Sequence, residues 1–460
     1  MKIVAAHALL PEGWAREVLI EVGANGRIGA VTSNAPRTDA AAERIEGFVV
    51  PGMPNVHSHA FQRAMAGAAE ARARPDDSFW TWRELMYRFA GRITPGQMGD
   101  VAAWLYVEML KAGYTSVAEF HYVHHDVGGK PYADPAQMSH PIVAAARDAG
   151  IALTHLPVLY QHGGFGEAPA LASQARFIHS AETYASLLEA LHGSYGNAPD
   201  VRIGVAFHSL RAVAPRSMGP TLAALDCLDA TAPVHIHVAE QAKEVEDCIA
   251  WSGSRPVAWL LDHHAIGPRW CLVHATHLDA GEIGRLAASA AVAGLCPTTE
   301  ANLGDGIFPA RAYLGAAPGG RIAIGSDSHV EVSVAGELKL LEYGQRLVSG
   351  ARSALASGLQ PSPAERLHAA ASAGGAQALG IDAGRIASGC RADLVVLDSG
   401  HPALWNKAPR EALDAWVFAG DGTCVRDVMV GGAWRIRDRH HPREREIGAR
   451  FRAAQAALLA

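Results

Sequence analysis

Residues 270–299 read WCLVHATHLDAGEIGRLAASAAVAGLCPTT and divide into three parts. The first, 270–277, is a short apolar run; 278–290 carries its apolar residues at helical spacing; 291–299 is apolar and strand-like again. Strand, helix and strand in this order form a parallel βαβ unit, with the helix crossing over the sheet. The same alternation continues outward in both directions. Upstream lie GFVVPGMPNVH (47–57), TSVAEFHY (115–122), IALTHLPVLY (151–160), RIGVAFHSL (202–210) and PVHIHVAE (233–240), and downstream lies RIAIGSDSH (321–329). Stretches such as MGDVAAWLYVEMLKAG (98–113) and ETYASLLEALHG (182–193) supply helices between them. Eight strands alternating with helices predict an α/β fold, a (β/α)8 TIM-like barrel, enlarged beyond its usual ~250 residues.

The two ends read differently. VLIEVGANGRIGAV, with its Asn25-Gly26 turn, and the later GRIASGCRADLVVLD, DAWVFAG and VRDVMVGGAWRI are short and turn-bounded. They predict a small β-sandwich domain formed by the N- and C-terminal segments, residues 1–50 and 381–460, around a barrel of residues 51–380. The last twenty residues predict a terminal amphipathic helix.

Composition narrows the function. Lys plus Arg number 40 and Asp plus Glu 46, a net charge of −6, so no polyanion-binding surface and no nucleic-acid partner is expected. Apolar runs are broken before the ~18 residues a membrane helix needs, so no membrane span is expected. Six cysteines form no CxxC pair, and the first residues lack a processing site, which together suggest a reduced, cytoplasmic protein. The 23 histidines matter through their placement.

His57 and His59 end the first barrel strand, and residues two apart on a strand project to one side, so their imidazoles can share a metal ion. His237 and Glu240 end strand five, His274 ends strand six and Asp327 ends strand eight. The C-terminal ends of barrel strands are where such folds gather their active sites. Three imidazoles and a carboxylate suit Zn²⁺ or another divalent ion and leave a position for a reactive water. His235 reads as a deeper residue on the same side.

These segments together resemble the amidohydrolase superfamily, and within it the formimidoylglutamate deiminase branch. The resemblance runs from PGMPNVHSHAFQRAMAG (51–67) through EFHYVHH (119–125), HIHVAE (235–240), LCPTTEANLGDGIFP (295–309) and IGSDSHVEVS (324–333) to GRIASGCRADLVVLD (384–398). It implies metal-dependent hydrolysis of N-formimino-L-glutamate to N-formyl-L-glutamate and ammonia, a step of histidine degradation. It implies metal ligation by His57, His59, His237 and Asp327, with Glu240, His274 and Asp327 catalytic. Strand four holds no Lys or Glu to bridge a second ion, so one divalent ion is expected, Zn²⁺ by default.

A substrate with two carboxylates calls for guanidinium groups, which bind carboxylates in bidentate fashion. Arg83 and Arg211 are the candidates, with Gln62, Tyr122 and His208 at matching branch positions. The same metal set would also serve deamination of an aminated heterocycle such as guanine, in a pocket built on aromatic stacking. A non-catalytic assembly protein of this fold would typically have lost metal ligands. A homodimer is expected from the resemblance and from the prevalence of two-fold assemblies.

Overall fold

The computed structural model describes residues 1–35, 42–70 and 79–460. The chain begins with β1 (Lys2–Leu10), β2 (Gly13–Val22), β3 (Ile28–Thr32) and β4 (Glu43–Pro51). The barrel strands follow: β5 (Met53–Ser58), β6 (Tyr114–His121), β7 (Ala152–Leu159), β8 (Val201–Ile203), β9 (Val205–Ser209), β10 (Val234–Val238), β11 (Trp270–His274), β12 (Val292–Leu295) and β13 (Arg321–Ile324). The chain then returns through β14 (Leu394–Leu397), β15 (Val425–Val430) and β16 (Ala433–Ile436).

In the barrel the order is β13-β12-β11-β10-β9-β7-β6-β5, all parallel, with β8 adding to β7 just before β9. All eight expected strands are present, with helices between them. The circle is drawn together by two backbone hydrogen bonds between the segments after β5 and β13. The Asp327 N–H donates to the His57 carbonyl at 3.0 Å, and the His59 N–H to the Asp327 carbonyl at 3.2 Å. Gly325 permits this approach, since a Cβ there would lie 2.7 Å from the His57 nitrogen and 2.9 Å from its carbonyl oxygen.

The second sheet runs β16-β15-β14-β4-β1-β2-β3 and so combines both ends of the chain. Strand alternation divides its side chains. Ile3, Ile20, Val49, Leu394 and Met429 form a core of their own, while Phe48, Val50, Val395 and Val428 join the barrel's core.

Three local expectations are corrected. The strand expected at 47–57 is two, β4 and β5, divided at Gly52, where a Cβ would meet the Thr115 side chain at 2.3 Å. The strand expected at 291–299 stops at Leu295, because Pro297 opens a helix, Pro297–Leu303, at the position proline favours. DAWVFAG belongs to a helix, Pro409–Ala419, whose buried Ala412, Leu413, Trp416 and Val417 follow helical spacing, and whose Glu411 side chain accepts the Ala408 N–H at 2.9 Å. The terminal helix is Glu444–Leu459.

Two outcomes follow. Gly325→Ala would press a methyl group onto strand backbone at the barrel closure, with an expected loss of about 2 kcal/mol or more, measurable as a lowered Tm. The second concerns acid. His121, His155, His179 and His368 are buried, and burial holds His121 and His179 down at about 3 and His368 at about 4, with His155 also far below the usual imidazole value. Below about pH 6.5 the unfolded chain takes up protons that these buried rings refuse. Stability is therefore whole above that pH and falls as pH drops, by up to about 1.4 kcal/mol per pH unit for each ring. Urea midpoints at about pH 7.5 and about pH 5 should differ accordingly; equal midpoints would contradict the assignment.

Candidate active site

Three imidazoles converge at the mouth of the barrel. His57 Nε2 lies 3.1 Å from His59 Nε2 and 3.0 Å from His237 Nε2. The far nitrogens explain the orientation of two of the rings. His59 Nδ1 donates to the Phe120 carbonyl at 2.9 Å, and His237 Nδ1 to the His208 carbonyl at 2.9 Å. A carbonyl oxygen only accepts, so the protons sit on Nδ1, and in these neutral rings each Nε2 presents a lone pair. Burial keeps all three rings neutral by lowering their pKa values. Asp327 Oδ1 lies 3.4 Å from the Nε2 atoms of both His57 and His59.

A cluster of acceptors cannot satisfy itself. His57 has one ring proton at most when neutral, its Nδ1 is buried without a partner, and its Nε2 faces two lone pairs at once. A cation is the complement this donor set lacks, and N₃O chemistry fits a borderline divalent ion. The residues present therefore fit the expected metal. Backbone strain gathers at the same place: Asp327 has φ 44° and His274 φ 66°, conformations that non-glycine residues rarely adopt.

His274 sits beside this cluster, its ring stacked on His237 at 5.5 Å. Its Nδ1 is 3.2 Å from Glu300 Oε1, and its Nε2 faces Glu240 at 3.8 Å and Asp327 at 3.9 Å. Burial opposes a charge on this ring, but the carboxylates of Glu240, Glu300 and Asp327 outweigh it and hold His274 up at about 10. Burial pushes the Glu240 carboxyl up to about 7, with His274 opposing the rise.

One cavity opens onto these groups. It is lined by His59, His237, Glu240, His274 and Asp327, and also by Gln62, Arg83, Tyr122, His208 and Arg211. Of the eleven residues expected to reach the site, ten thus face a single cavity, and the eleventh, His57, is fully buried. The Gln62 amide donates to the Tyr122 hydroxyl at 2.9 Å. Arg83, on the helix Phe79–Ala90, and Arg211, just beyond β9, are near enough to repel: burial lowers the Arg83 guanidinium, and the charge on Arg211 lowers it further.

Other contributors escaped the sequence reading. Glu119 is buried and accepts the Ser58 hydroxyl at 2.6 Å, the Ala60 N–H at 2.6 Å and the Tyr106 hydroxyl at 3.1 Å, bracing the segment that carries His59. Glu300 braces His274, and Glu244 accepts the N–H groups of Ala239 and Glu240. Trp82, Met86, Tyr87, Tyr160, Phe177 and Leu303 complete the cavity wall. His235 lies deeper and is hydrogen-bonded to the Ala378 carbonyl at 2.8 Å, as its place on the strand suggested.

Known proteins resemble this chain along its whole length. Residues 48–435 match the amidohydrolase family, and residues 1–45 match the N-terminal domain of the formimidoylglutamate deiminase HutF. The chain is 54% identical over 458 residues, 99% of each chain, to a formimidoylglutamate deiminase of Pseudomonas aeruginosa. It is 30% identical to a 5-methylthioadenosine/S-adenosylhomocysteine deaminase of Halobacterium salinarum, covering 96% of this chain and 93% of that one. Among solved structures, an amidohydrolase from Brucella melitensis superposes over 100% of both chains with a TM-score of 0.94 at 47% identity. The chain belongs to the amidohydrolase family and, within it, to the formimidoylglutamate deiminases.

Proposed function

We propose that this chain hydrolyses N-formimino-L-glutamate to N-formyl-L-glutamate and ammonia, serving histidine degradation, with the residue roles given below. One observation carries the reading: a single cavity holds a metal-fitting acceptor cluster, an acid-base pair and two mutually repelling guanidinium groups. The substrate has matching parts, an amidine to hydrolyse and two carboxylates to anchor.

His57, His59, His237 and Asp327 would hold one divalent ion, Zn²⁺ by preference for this donor set. Such an ion supplies Lewis acidity and a nucleophile at neutral pH. Asp327, whose Oδ2 faces His274, accepts the proton released as the water oxygen bonds to the formimino carbon. His274 Nε2 donates a hydrogen bond to oxygen on the tetrahedral carbon, an arrangement that stabilises charge as it develops. Glu240 carries a proton to the amidine nitrogen, since a carboxyl held near neutrality by burial can both take and give one. The proton held by Asp327 passes to the same nitrogen, the tetrahedral hydroxyl returns its proton to Glu240 as the carbonyl of the formyl group forms, and the C–N bond breaks with its electron pair leaving on ammonia. Glu300 acts through His274, its carboxylate fixing the Nδ1 proton and so the direction of Nε2.

Arg83 and Arg211 each take a carboxylate, and Gln62, Tyr122 and His208 complete the contacts to substrate. Six cysteines, all unpaired, support a reducing cytoplasmic setting. No helix among the described residues is long and apolar enough to cross a membrane. A homodimer is the working assembly, on the general frequency of two-fold pairs.

Two measurements test this. Elemental analysis of purified protein should give one divalent ion per chain, with ammonia release lost on chelation and restored by Zn²⁺; His57→Ala or His237→Ala should lose the ion. Stoichiometric metal retained by both variants would overturn the ligand assignment. Ammonia release should be selective for N-formimino-L-glutamate over N-formimino-glycine and guanine. Arg83→Ala and Arg211→Ala should each lower kcat/KM by about 100-fold, as expected when a buried charge partner is removed. Release from guanine alone would keep the metal site and reassign the substrate.

A further inference from the structure

Two phenols line the active-site cavity, Tyr87 on the helix Phe79–Ala90 and Tyr160 just beyond β7. Both are gripped from behind by one amide. Gln174 is fully buried, and its Nε2 donates to the Tyr160 hydroxyl at 2.7 Å and to the Tyr87 hydroxyl at 3.0 Å. The direction of these bonds is set by the other half of the amide, because Gln174 Oε1 accepts the Leu171 backbone N–H at 2.7 Å. An N–H cannot accept, so the oxygen must face Leu171 and the NH₂ must face the phenols.

Counting donors has a consequence. Both amide protons are spent on the two phenol oxygens, so neither phenol gives its own O–H to Gln174. The phenols can spend at most one O–H on each other. At least one hydroxyl proton is therefore directed elsewhere, and buried tyrosine hydroxyls normally find an acceptor. Two groups beside them offer no acceptor, since Arg83 lies over the Tyr87 ring at 5.5 Å and Arg211 is close enough to influence Tyr160 electrostatically. Guanidinium groups offer only donors.

We infer that Tyr87 and Tyr160, turned donor-first into the cavity by Gln174, bind a carboxylate of the substrate together with the two arginines. Neutral O–H donors between two like-charged guanidiniums tell a carboxylate from an amide or an apolar end, because the latter would leave the phenol and guanidinium protons unmatched. Gln174 touches no substrate and serves only to set the direction of the hydroxyls.

This inference rests on the proposed deimination, so wild-type turnover of N-formimino-L-glutamate is measured first; its absence would refute that reaction, and ligand binding alone would then decide the role of the phenols. The binding constant for N-formyl-L-glutamate, obtained by calorimetry on zinc-loaded protein, supplies a readout independent of turnover. Tyr87→Phe/Tyr160→Phe keeps both rings and removes both hydroxyls. It should raise KM and weaken product binding by about 10-fold or more while kcat stays within about threefold, the pattern of lost ground-state binding. Gln174→Glu keeps an acceptor for Leu171 but turns acceptor toward the phenols, drawing their protons away from the cavity, and should raise KM similarly although both hydroxyls remain. A merely structural Gln174 would lower Tm without this KM change. KM and product binding within about twofold of wild type in the double Phe variant, or in a folded Gln174→Glu variant, would overturn the inference.

Discussion

The barrel closes through two backbone hydrogen bonds between the His57–His59 segment and Asp327, and the side chains of His57, His59 and Asp327 converge at the same place. Closure and donor convergence are therefore one geometric event. The spacing of the imidazole nitrogens depends on the register between the first and last strands, and that register depends on Gly325 leaving room for the His57 backbone. Asp327 cannot simply continue its strand: its positive φ turns the carboxylate toward the imidazoles. Strain of this kind persists only where the surroundings over-determine it, and here the two bonds to the opposite strand do so.

Around this seam the electrostatics are arranged by burial. The rings of His57, His59 and His237 stay neutral because the interior penalises their charge, whereas His274, a neighbour in the same interior, is held positive by three carboxylates. Four imidazoles of one residue type thus divide into lone-pair donors and a proton donor according to their contacts. At low local dielectric such fixed charges interact strongly, so two arginines on one cavity wall suit an anionic ligand. A molecule with a basic amidine and two carboxylates answers both demands.

Much of this was legible in the residue order. Strand ends carrying His-x-His, His237, His274 and Asp327 are visible because a strand has a period of two and a barrel places its strand ends together. What was hidden depends on contacts distant in sequence. Glu300 looks like an ordinary acid in a helix's first turn, and only the fold sets it 3.2 Å from His274. Glu119 is the one acid in a strand buried throughout, and its bracing role appears when Ser58 and Ala60 are brought beside it. DAWVFAG misleads because a short apolar run bounded by glycine has no period long enough to tell strand from helix. The orienting partners of His59 and His237 are backbone carbonyls, which no side-chain pattern encodes.

The division of labour follows from where each group is mounted. The groups assigned to chemistry sit on or just beyond barrel strands, while Gln62, Arg83 and Gln174 belong to helices. Segments of the second kind can change without disturbing strand register, so recognition can vary while the metal cluster remains intact. His208 joins the two sets: its ring lines the cavity while its carbonyl orients His237. Side-chain changes at this position can alter substrate contact and spare the orienting bond, because that bond belongs to the backbone of β9. The candidate metal cluster is thus insulated from changes in the cavity lining even where the two meet in one residue.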